Sequence, residues 1–369
     1  MDRVLAAVSV LVCALLSACS SSDGTAEADA GAAGAAGSTD AGPHASCEQS
    51  DVLDLHGTFA AQLDLKLDLV SQAGGTATLC PDQQGNRASI TMLVRASQPS
   101  GTPQLDSVEP VFCAIELPAL TAMVGSCDPS ANNLLTVDLL LSSELQQAIA
   151  TLGVAPAAAK LGGLQPGASF ESGRWLLNAG TRKTGDAMPA WLPEAPGCGV
   201  TDLALGRGAG CEADCVDDCA AMVDDDHDGK VGVTFHVCGY TKDDLQSGLQ
   251  CNADNPSEAA IAIQGPLMMA FQLDPLLKGT AVSSCEVRGT VDAHVIYHVV
   301  GGDLYVENTQ ISVLSAMRSL PLFTVDAAQS RFRMMRVDGL HGAPDWKLEA
   351  DGDRAKACSV VLQHRNELL

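Results

Sequence analysis

The stretch LDLKLDL, residues 63–69, alternates apolar and charged side chains without interruption. Successive side chains of a β-strand point to opposite faces of a sheet, so this pattern puts the leucines on one face and the charges on the other. Many short runs of this kind, separated by Gly, Pro, Asn and Asp, predict an all-β, mainly antiparallel fold of sandwiches or barrels. The other predicted strands are 90–94, 111–117, 134–141, 170–177, 231–237, 259–263, 268–273, 287–300, 304–314, 332–337 and 358–362.

Residues 143–152 carry the clearest helical pattern in the chain. Leu145, Ile149 and Leu152 recur at helical spacing and would share one face. Ser142 or Ser143 can cap the N-terminus of this helix. One or two short helices are therefore expected, because residues 314–320 fit either a second helix or the end of a strand.

The first eighteen residues have the form of an export signal, with a short charged start and an apolar run over 4–16. That run is too short for a membrane span, which needs about 20 apolar residues. The following LSAC, residues 16–19, resembles the lipobox of bacterial lipoproteins. The resemblance implies cleavage before Cys19 and lipidation of that cysteine, hence a stable membrane anchor in the cell envelope. Ser20 in place of aspartate favours the outer membrane, with the periplasmic or surface face left open.

The rest of the chain is expected to divide into a linker, two β units and an insert. The linker consists almost entirely of small and polar residues, which cannot bury enough apolar surface to fold. Residues 57–63 and 289–295 both begin with Gly-Thr and enter an alternating run, which fits either a pseudo-repeat or chance similarity. The predicted segments are 1–18 for the signal, 19–46 for the anchor and disordered linker, 47–197 for a first β domain, 198–230 for a Cys- and Asp-rich insert, and 231–369 for a second β domain. One large barrel is the alternative to two separate domains.

The charge of the chain limits its partners. The sequence holds 45 acidic and 21 basic residues and has a formal net charge of −24. Such an acidic surface argues against nucleic acid as a partner and against electrostatic docking on anionic lipid. A lipid anchor is thus the only membrane attachment that the sequence predicts.

Cysteines are unusually frequent, with 14 in the chain. Cys13 lies in the predicted signal and Cys19 is the predicted lipidation site, which leaves an even number in an exported protein. Such a set predicts up to six disulfides. The sequence does not determine their connectivity, although Cys113 with Cys127 and Cys238 with Cys251 are plausible near-neighbour pairs. The candidates are Cys47, Cys80, Cys113, Cys127, Cys198, Cys211, Cys215, Cys219, Cys238, Cys251, Cys285 and Cys358.

The acidic stretch DDDHDGKVG, residues 224–232, contains the pattern Asp-x-Asp-x-Asp-Gly. Alternate side chains of a tight loop can converge on one centre, and glycine at the sixth position allows the sharp turn. Hard carboxylate oxygens suit calcium, and the backbone carbonyl of Lys230 falls at the seventh position. The residues of the pattern are Asp224, Asp226, Asp228 and Gly229. The sequence thus predicts a structural calcium ion, against the alternative of a solvated acidic turn.

This pattern resembles the calcium loops of EF-hands, dockerins and thrombospondin type 3 repeats. The chain departs from an EF-hand because Phe235 stands at the twelfth position, where the resemblance implies glutamate, and because 231–237 is a predicted strand. Further oxygens must come from elsewhere, and disulfides of Cys211, Cys215 and Cys219 would hold the upstream acids against the loop. The acids considered are Asp225, Asp214, Asp217 and Asp218.

No catalytic motif is recognisable, since the chain has neither Gly-x-Ser-x-Gly nor His-Glu-x-x-His. The expected role is therefore non-enzymatic, either binding or structural, with an unknown protein or apolar small molecule as partner. The alternatives are a β-barrel carrier of a lipid or other apolar ligand and a secreted hydrolase without a known motif. A large cavity would favour the carrier, and a cleft with converging carboxylates or histidines would favour the hydrolase.

Overall fold

We obtained the structure as a computed structural model, which describes twelve ranges of the chain. They are 47–48, 50–70, 78–79, 86–118, 120–123, 134–185, 188, 222–251, 261–306, 309–311, 322–348 and 353–368. In these ranges the chain is mostly antiparallel β-structure with a few short helices, which confirms the predicted fold class. The predicted signal, the linker and residues 314–320 lie outside the described ranges.

The strands are numbered in chain order. They are β1 (Gly57–Val70), β2 (Thr78–Leu79), β3 (Arg87–Ser97), β4 (Gln104–Glu116), β5 (Leu120–Met123), β6 (Leu134–Leu141), β7 (Ala157–Leu161), β8 (Ala168–Glu171), β9 (Leu177–Ala179), β10 (Val233–Tyr240), β11 (Ile263–Leu273), β12 (Leu276–Ser283), β13 (Glu286–Asp292), β14 (Val295–Gly302), β15 (Leu304–Val306), β16 (Thr309–Ile311), β17 (Leu322–Val325) and β18 (Arg331–Arg336).

Eight of these strands close into a barrel in the order β1-β18-β13-β12-β8-β7-β4-β3. The barrel is closed because β1 pairs with β18 on one side and with β3 on the other, so that Phe59 lies between Arg336 and Val94. The alternation predicted for β1 is present, since Leu63, Leu65 and Leu67 are buried, whereas the charged residues between them are partly exposed. The period of two in the sequence thus becomes the inside and outside of the barrel wall.

The second sheet has the order β16-β15-β11-β10-β6-β5-β2, and β9 and β14 also pair with β11. Two short connections, residues 274–275 and 293–294, lead from β11 and β14 straight into barrel strands. Because both connections lie at the same end of the barrel, the second sheet packs against that end. Residues of both sheets share one hydrophobic core, which includes Phe59, Phe112, Phe235 and Met269.

The predicted boundary at 198–230 does not separate the two sheets. Strands from 47–197 and strands from 231–369 occur in the barrel, and both segments also supply strands to the second sheet. The described residues between 45 and 369 accordingly form one compact unit. The division into two β domains is therefore wrong, because strand pairing joins residues that lie far apart in the sequence.

The proposed pseudo-repeat also has no counterpart in the strands. Residues 57–63 lie within β1, whereas residues 289–295 cover the end of β13, a connection and the first residue of β14. The predicted continuous strand 287–300 is thus broken at residues 293–294. The two segments therefore occupy different structural positions, which gives a pseudo-repeat no support.

An N-terminal plug, residues 50–56, closes the other end of the barrel. Leu53 and Leu55 are buried in the shared core. The backbone N–H of Leu53 donates to Leu164 O at 2.7 Å, and that of Leu55 donates to Gln98 Oε1 at 2.6 Å. Both acceptors lie in connections at this end, so the plug satisfies its backbone while it fills the opening.

Three α-helices occur in the described ranges: α1 (Ser143–Ala148), α2 (Lys242–Gln246) and α3 (Arg354–Gln363). The prediction of α1 is confirmed, and a 3₁₀ turn, Ile149–Thr151, continues it. Ser142 caps α1 by accepting a hydrogen bond from the N–H of Leu145 at 3.0 Å. The helix was predictable because its cap and its apolar spacing agree.

The predicted strand 358–362 is wrong, because these residues belong to α3. Asp353 caps the helix by accepting a hydrogen bond from the N–H of Lys356. Ala357 and Cys358 each lie about one helical turn before Val361, and all three pack on the outer face of the barrel. The cap and this packing outweigh the preference of β-branched residues for strands.

Three disulfides are present in the described ranges: Cys47–Cys285, Cys113–Cys358 and Cys238–Cys251. Cys238 thus pairs with its near neighbour, whereas Cys113 pairs with α3 rather than with Cys127. The long-range pair forms because the barrel brings β4 under α3, which sequence proximity does not reveal. The remaining candidates, Cys80, Cys127, Cys198, Cys211, Cys215 and Cys219, lie outside the described ranges.

Candidate metal centre

The acidic loop runs from Asp224 to Gly232 and leads into β10. Its ends meet, because Asp224 and Gly232 form a parallel bridge and the N–H of Gly232 donates to Val223 O at 2.9 Å. The backbone is left-handed at His227 (φ 61°) and Gly229 (φ 84°), which lets the chain reverse within a few residues. The result is a closed loop in which alternate aspartates approach one another.

The carboxylates of Asp224, Asp226 and Asp228 converge as the sequence predicts. One oxygen from each lies within 4.8 Å of the others. Asp224 is held in place by hydrogen bonds from the N–H groups of Asp228, at 3.1 Å, and Gly229, at 3.0 Å. We call these three carboxylates the Asp triad. Like charges at this spacing repel one another unless a cation or a proton compensates them.

Thr234, on β10, holds the other two members of the Asp triad. Its backbone N–H donates to Asp226 Oδ2 at 2.7 Å, and its hydroxyl donates to Asp228 Oδ2 at 2.6 Å. The site is therefore built from a loop and the strand that follows it. The sequence gives no motif for this threonine, but strand alternation places residue 234 on the side opposite Phe235.

Phe235 is the residue that stands at the twelfth position of the acidic pattern. Its side chain is buried in the shared core and supplies no oxygen to the loop. The following residues belong to β10 and not to a helix. The three aspartates converge, and the resemblance to calcium loops stays a prediction.

Asp226 is the most unusual member of the Asp triad. Its exposed fraction is only 4 %, and its Oδ1 has no hydrogen-bond partner among the described residues. Burial raises the pKa of Asp226 to about 6; the charges of Asp228 and Asp224 add to this effect, and the N–H of Thr234 opposes it. A buried carboxylate oxygen without a donor is costly and is compatible with an ion at that position.

We expect the chelator-treated protein to lose stability as the pH rises from about 4 to 7, because Asp226 then ionises in a buried place. Its pKa is about 6 in the folded chain, against 3.8 for the ordinary carboxyl. The stability that protonated Asp226 contributes is thus fully present below pH 3.8 and is lost as the pH rises through about 6. The difference corresponds to about 3 kcal/mol. Urea denaturation of the wild type and of Asp226→Asn over this range checks it; two parallel profiles would contradict it.

Asp225 does not join the Asp triad, although it was considered as a ligand. Its Oδ2 accepts a hydrogen bond from the N–H of Gly180 at 2.8 Å, and its Oδ1 lies 3.0 Å from Arg182 Nη2. The side chain of Asp225 therefore binds the segment that follows β9 and not the centre of the Asp triad. Its assignment as a candidate ligand is therefore corrected.

The other predicted ligands are only partly described. The N–H of Lys230 donates to Asp228 Oδ1 at 2.8 Å, and its Nζ lies 3.6 Å from Asp228 Oδ2. The proposed role of the Lys230 carbonyl stays a prediction. The upstream residues Asp214, Asp217 and Asp218 lie outside the described ranges.

A small apolar pocket lies between the barrel and the second sheet. It has a volume of about 40 Å³ and is lined by side chains such as Leu65, Ile90, Phe235 and Met269. Binding sites for small molecules commonly have volumes of about 300–1,000 Å³. At this size the pocket has no room for an acyl chain.

The predicted lipid attachment at Cys19 lies outside the described ranges. Among the helices that the structure describes, none has both the length and the apolar character required to cross a membrane.

No family model matches this chain, and neither a curated protein nor a solved structure shows significant similarity to it.

Proposed function

We propose that this chain is a lipid-anchored protein of the bacterial cell envelope that binds calcium at the Asp triad and acts by binding or as a structural component. The observation that carries the calcium site is the buried Oδ1 of Asp226, which has no donor among the described residues and lies beside two further carboxylates. Lipid anchoring rests on the LSAC sequence and the signal before it. The outer membrane is the proposed location, because Ser20 follows the cysteine.

Calcium suits the Asp triad better than a softer metal does. All donors that converge are oxygens, from three carboxylates, and the nearby hydroxyl of Thr234 is also an oxygen. Calcium takes six to eight oxygen ligands in flexible geometry, so the protein would complete the shell with backbone oxygens or water. In this role the ion neutralises the repulsion between the carboxylates and stabilises the loop.

A non-enzymatic role is favoured over the two alternatives. The shared core fills the barrel, and the pocket beside it is small, which argues against a carrier of lipids. In the described ranges the Asp triad is the one group of three potential metal ligands, and hydrogen bonds to the loop and to β10 hold it. That arrangement suits a structural ion better than a hydrolytic centre, which needs room for a substrate.

Calcium is expected to bind with a dissociation constant of about 10⁻⁴ to 10⁻³ M, as in extracellular modules. At about 10 mM calcium the free energy of unfolding should rise by about 1.4–2.7 kcal/mol, because the ion binds only the folded chain. Isothermal titration calorimetry and urea denaturation of the purified chain measure the two quantities. Asp226→Asn should abolish the heat and the stabilisation.

Asp243→Asn is the matched control, because it removes the same charge from an exposed position on α2. This variant should bind calcium as the wild type does. If neither heat nor stabilisation appears with the wild type at 10 mM calcium, the calcium site is refuted. Equal effects in Asp226→Asn and the wild type would place the ion elsewhere.

Cys19 is expected to carry the lipid. Expression in a bacterial host with radiolabelled palmitate should label the wild-type chain and should not label Cys19→Ala. A wild-type chain that takes up no label would overturn the proposed location while leaving the calcium site untouched.

A further inference from the structure

Two segments that flank the Asp triad lie side by side on the second sheet. We call residues 180–185, which follow β9, the first stem, and residues 222–232, which precede β10, the second stem. Thr181 and Met222 form an antiparallel bridge, and the N–H of Val223 donates to Gly180 O at 3.1 Å. The stems are thus hydrogen-bonded to each other where both meet the sheet.

Asp225 adds a charged contact between the stems. Its carboxylate accepts hydrogen bonds from the N–H of Gly180, at 2.8 Å, and from Arg182, at 3.0 Å and 3.2 Å. Its side chain is mostly buried, whereas that of Arg182 is 63 % exposed. The Gly180 N–H is therefore the stronger partner, since exposed ion pairs contribute little.

The stems approach β11 so closely that side chains would not fit. A Cβ atom at Gly180 would come within 2.4 Å of Met269 O and 2.9 Å of Gly232 Cα, and one at Gly232 would come within 2.8 Å of Met269 O. Both glycines have positive φ, 75° and 89°. Glycine at these positions lets the backbone of both stems rest directly on the strand.

Among the described residues, a small apolar cluster lies beneath the stems. Met188, Met222 and Val231 pack there against Met268, Ala270 and Val300 of β11 and β14, separate from the shared core. A cluster of this size stabilises a segment much less than the core stabilises the barrel, since burial energy scales with apolar area. The attachment of the stems therefore depends strongly on the polar contacts of the acidic loop.

The Asp triad connects the second stem to β10 through Thr234. Without a cation, the ionised carboxylates repel one another and Asp226 Oδ1 is buried without a donor, both of which favour release of the loop. With a cation, the same oxygens hold the loop closed. Because Asp225 belongs to this loop and contacts the first stem, closure of the loop also holds the first stem.

We propose that calcium at the Asp triad controls the attachment of both stems: the bound ion fastens them to the second sheet, and its loss releases them together and exposes the methionine cluster. This inference rests on the calcium site of the proposed function and adds the regulation of a defined surface. The barrel is outside this control, because its strands pair with one another and not with the stems.

Hydrogen exchange of the full chain, followed by mass spectrometry with calcium and with a chelator, tests the inference. At about 10–100 times the dissociation constant, calcium should slow exchange of peptides from both stems by about 10–100-fold, because opening must first release the ion. In chelator, peptides from both stems should exchange faster than peptides from β3 and β4, because the barrel strands open only with the whole chain and should slow with calcium by no more than the stems do. Asp225→Ala should retain the calorimetric heat of calcium and the protection of the second stem, with reduced protection of the first, because it removes the acceptor of the Gly180 N–H.

Three outcomes would overturn the inference, and they are distinguishable. Calcium heat without a change in stem exchange would refute control of the stems and leave the calcium site standing. Stem peptides that exchange as slowly as barrel peptides in chelator would show that the stems open only with the whole chain, which would also refute it. The absence of calcium heat from the wild type would refute the proposed calcium site together with this inference.

Discussion

Replacing Arg336 with alanine is expected to lower the free energy of unfolding by about 3–5 kcal/mol, the cost of breaking a buried charge network. The guanidinium of Arg336 has an exposed fraction of 0 % and lies 4.7 Å from the centre of the Phe59 ring. It donates to the carbonyls of Asp54, at 2.6 Å, and His56, at 2.8 Å, in the N-terminal plug. It also donates to Ser284 O at 2.8 Å.

The size of the effect follows from what alanine leaves behind. Three carbonyls would lose a charged donor, and burial of an unsatisfied polar group costs about 1–3 kcal/mol. Lysine would recover only part of the loss, because a single ammonium group does not reproduce the planar fork of donors. Burial lowers the pKa of Arg336, whereas the nearby carboxylates of Asp338 and Asp54 raise it. These two carboxylates therefore favour the charged form of the buried guanidinium.

Urea denaturation followed by tryptophan fluorescence measures this change. Arg288→Ala, at an exposed position on β13, is the matched control and should alter stability by no more than about 0.5 kcal/mol. Equal losses in the two variants would show that the plug does not depend on Arg336.

Removing the Cys113–Cys358 disulfide is the second change with a large expected effect. The double variant Cys113→Ala, Cys358→Ala should lose about 2–5 kcal/mol of stability. The bond joins residues 245 apart in the sequence and fastens α3 to the outer face of the barrel. Without it, the unfolded chain gains freedom, and α3 is held by apolar packing and by the ion pair between Arg354 and Glu109 of β4.

The Cys238–Cys251 pair provides the comparison, because it joins residues only 13 apart. Its removal should cost less, since the entropy of loop closure grows with the length of the loop. Chemical denaturation of both double variants under non-reducing conditions tests the order. A larger loss for the short-range pair would contradict the argument from chain entropy.

Strand positions were more predictable from the sequence than strand partners. The alternation in residues 63–69 predicts the buried and exposed sides of β1, and these sides agree with the structure. Nothing in the sequence indicates that β1 pairs with both β3 and β18, which closes the barrel. Partners depend on the packing of distant strands, whereas alternation depends only on the geometry of one strand. The predicted boundary at 198–230 failed for this reason.

Local patterns also failed where tertiary packing decides. The β-branched run in α3 favours a strand, but the Asp353 cap and the barrel surface select a helix. At the metal centre, the spacing of the Asp triad predicts its convergence. The spacing does not predict the contribution of Thr234, because that threonine acts through the return of the chain into β10.

The Cys47–Cys285 disulfide has a mechanical consequence. Cys285 lies in the turn between β12 and β13, so a pulling force applied to the chain ahead of Cys47 passes through a covalent bond into the barrel wall. The force therefore does not act on the plug or on the hydrogen bonds of β1. Under reducing conditions the same force would first extract the plug and then shear β1 from its neighbours, so the redox state sets the tension that the domain withstands.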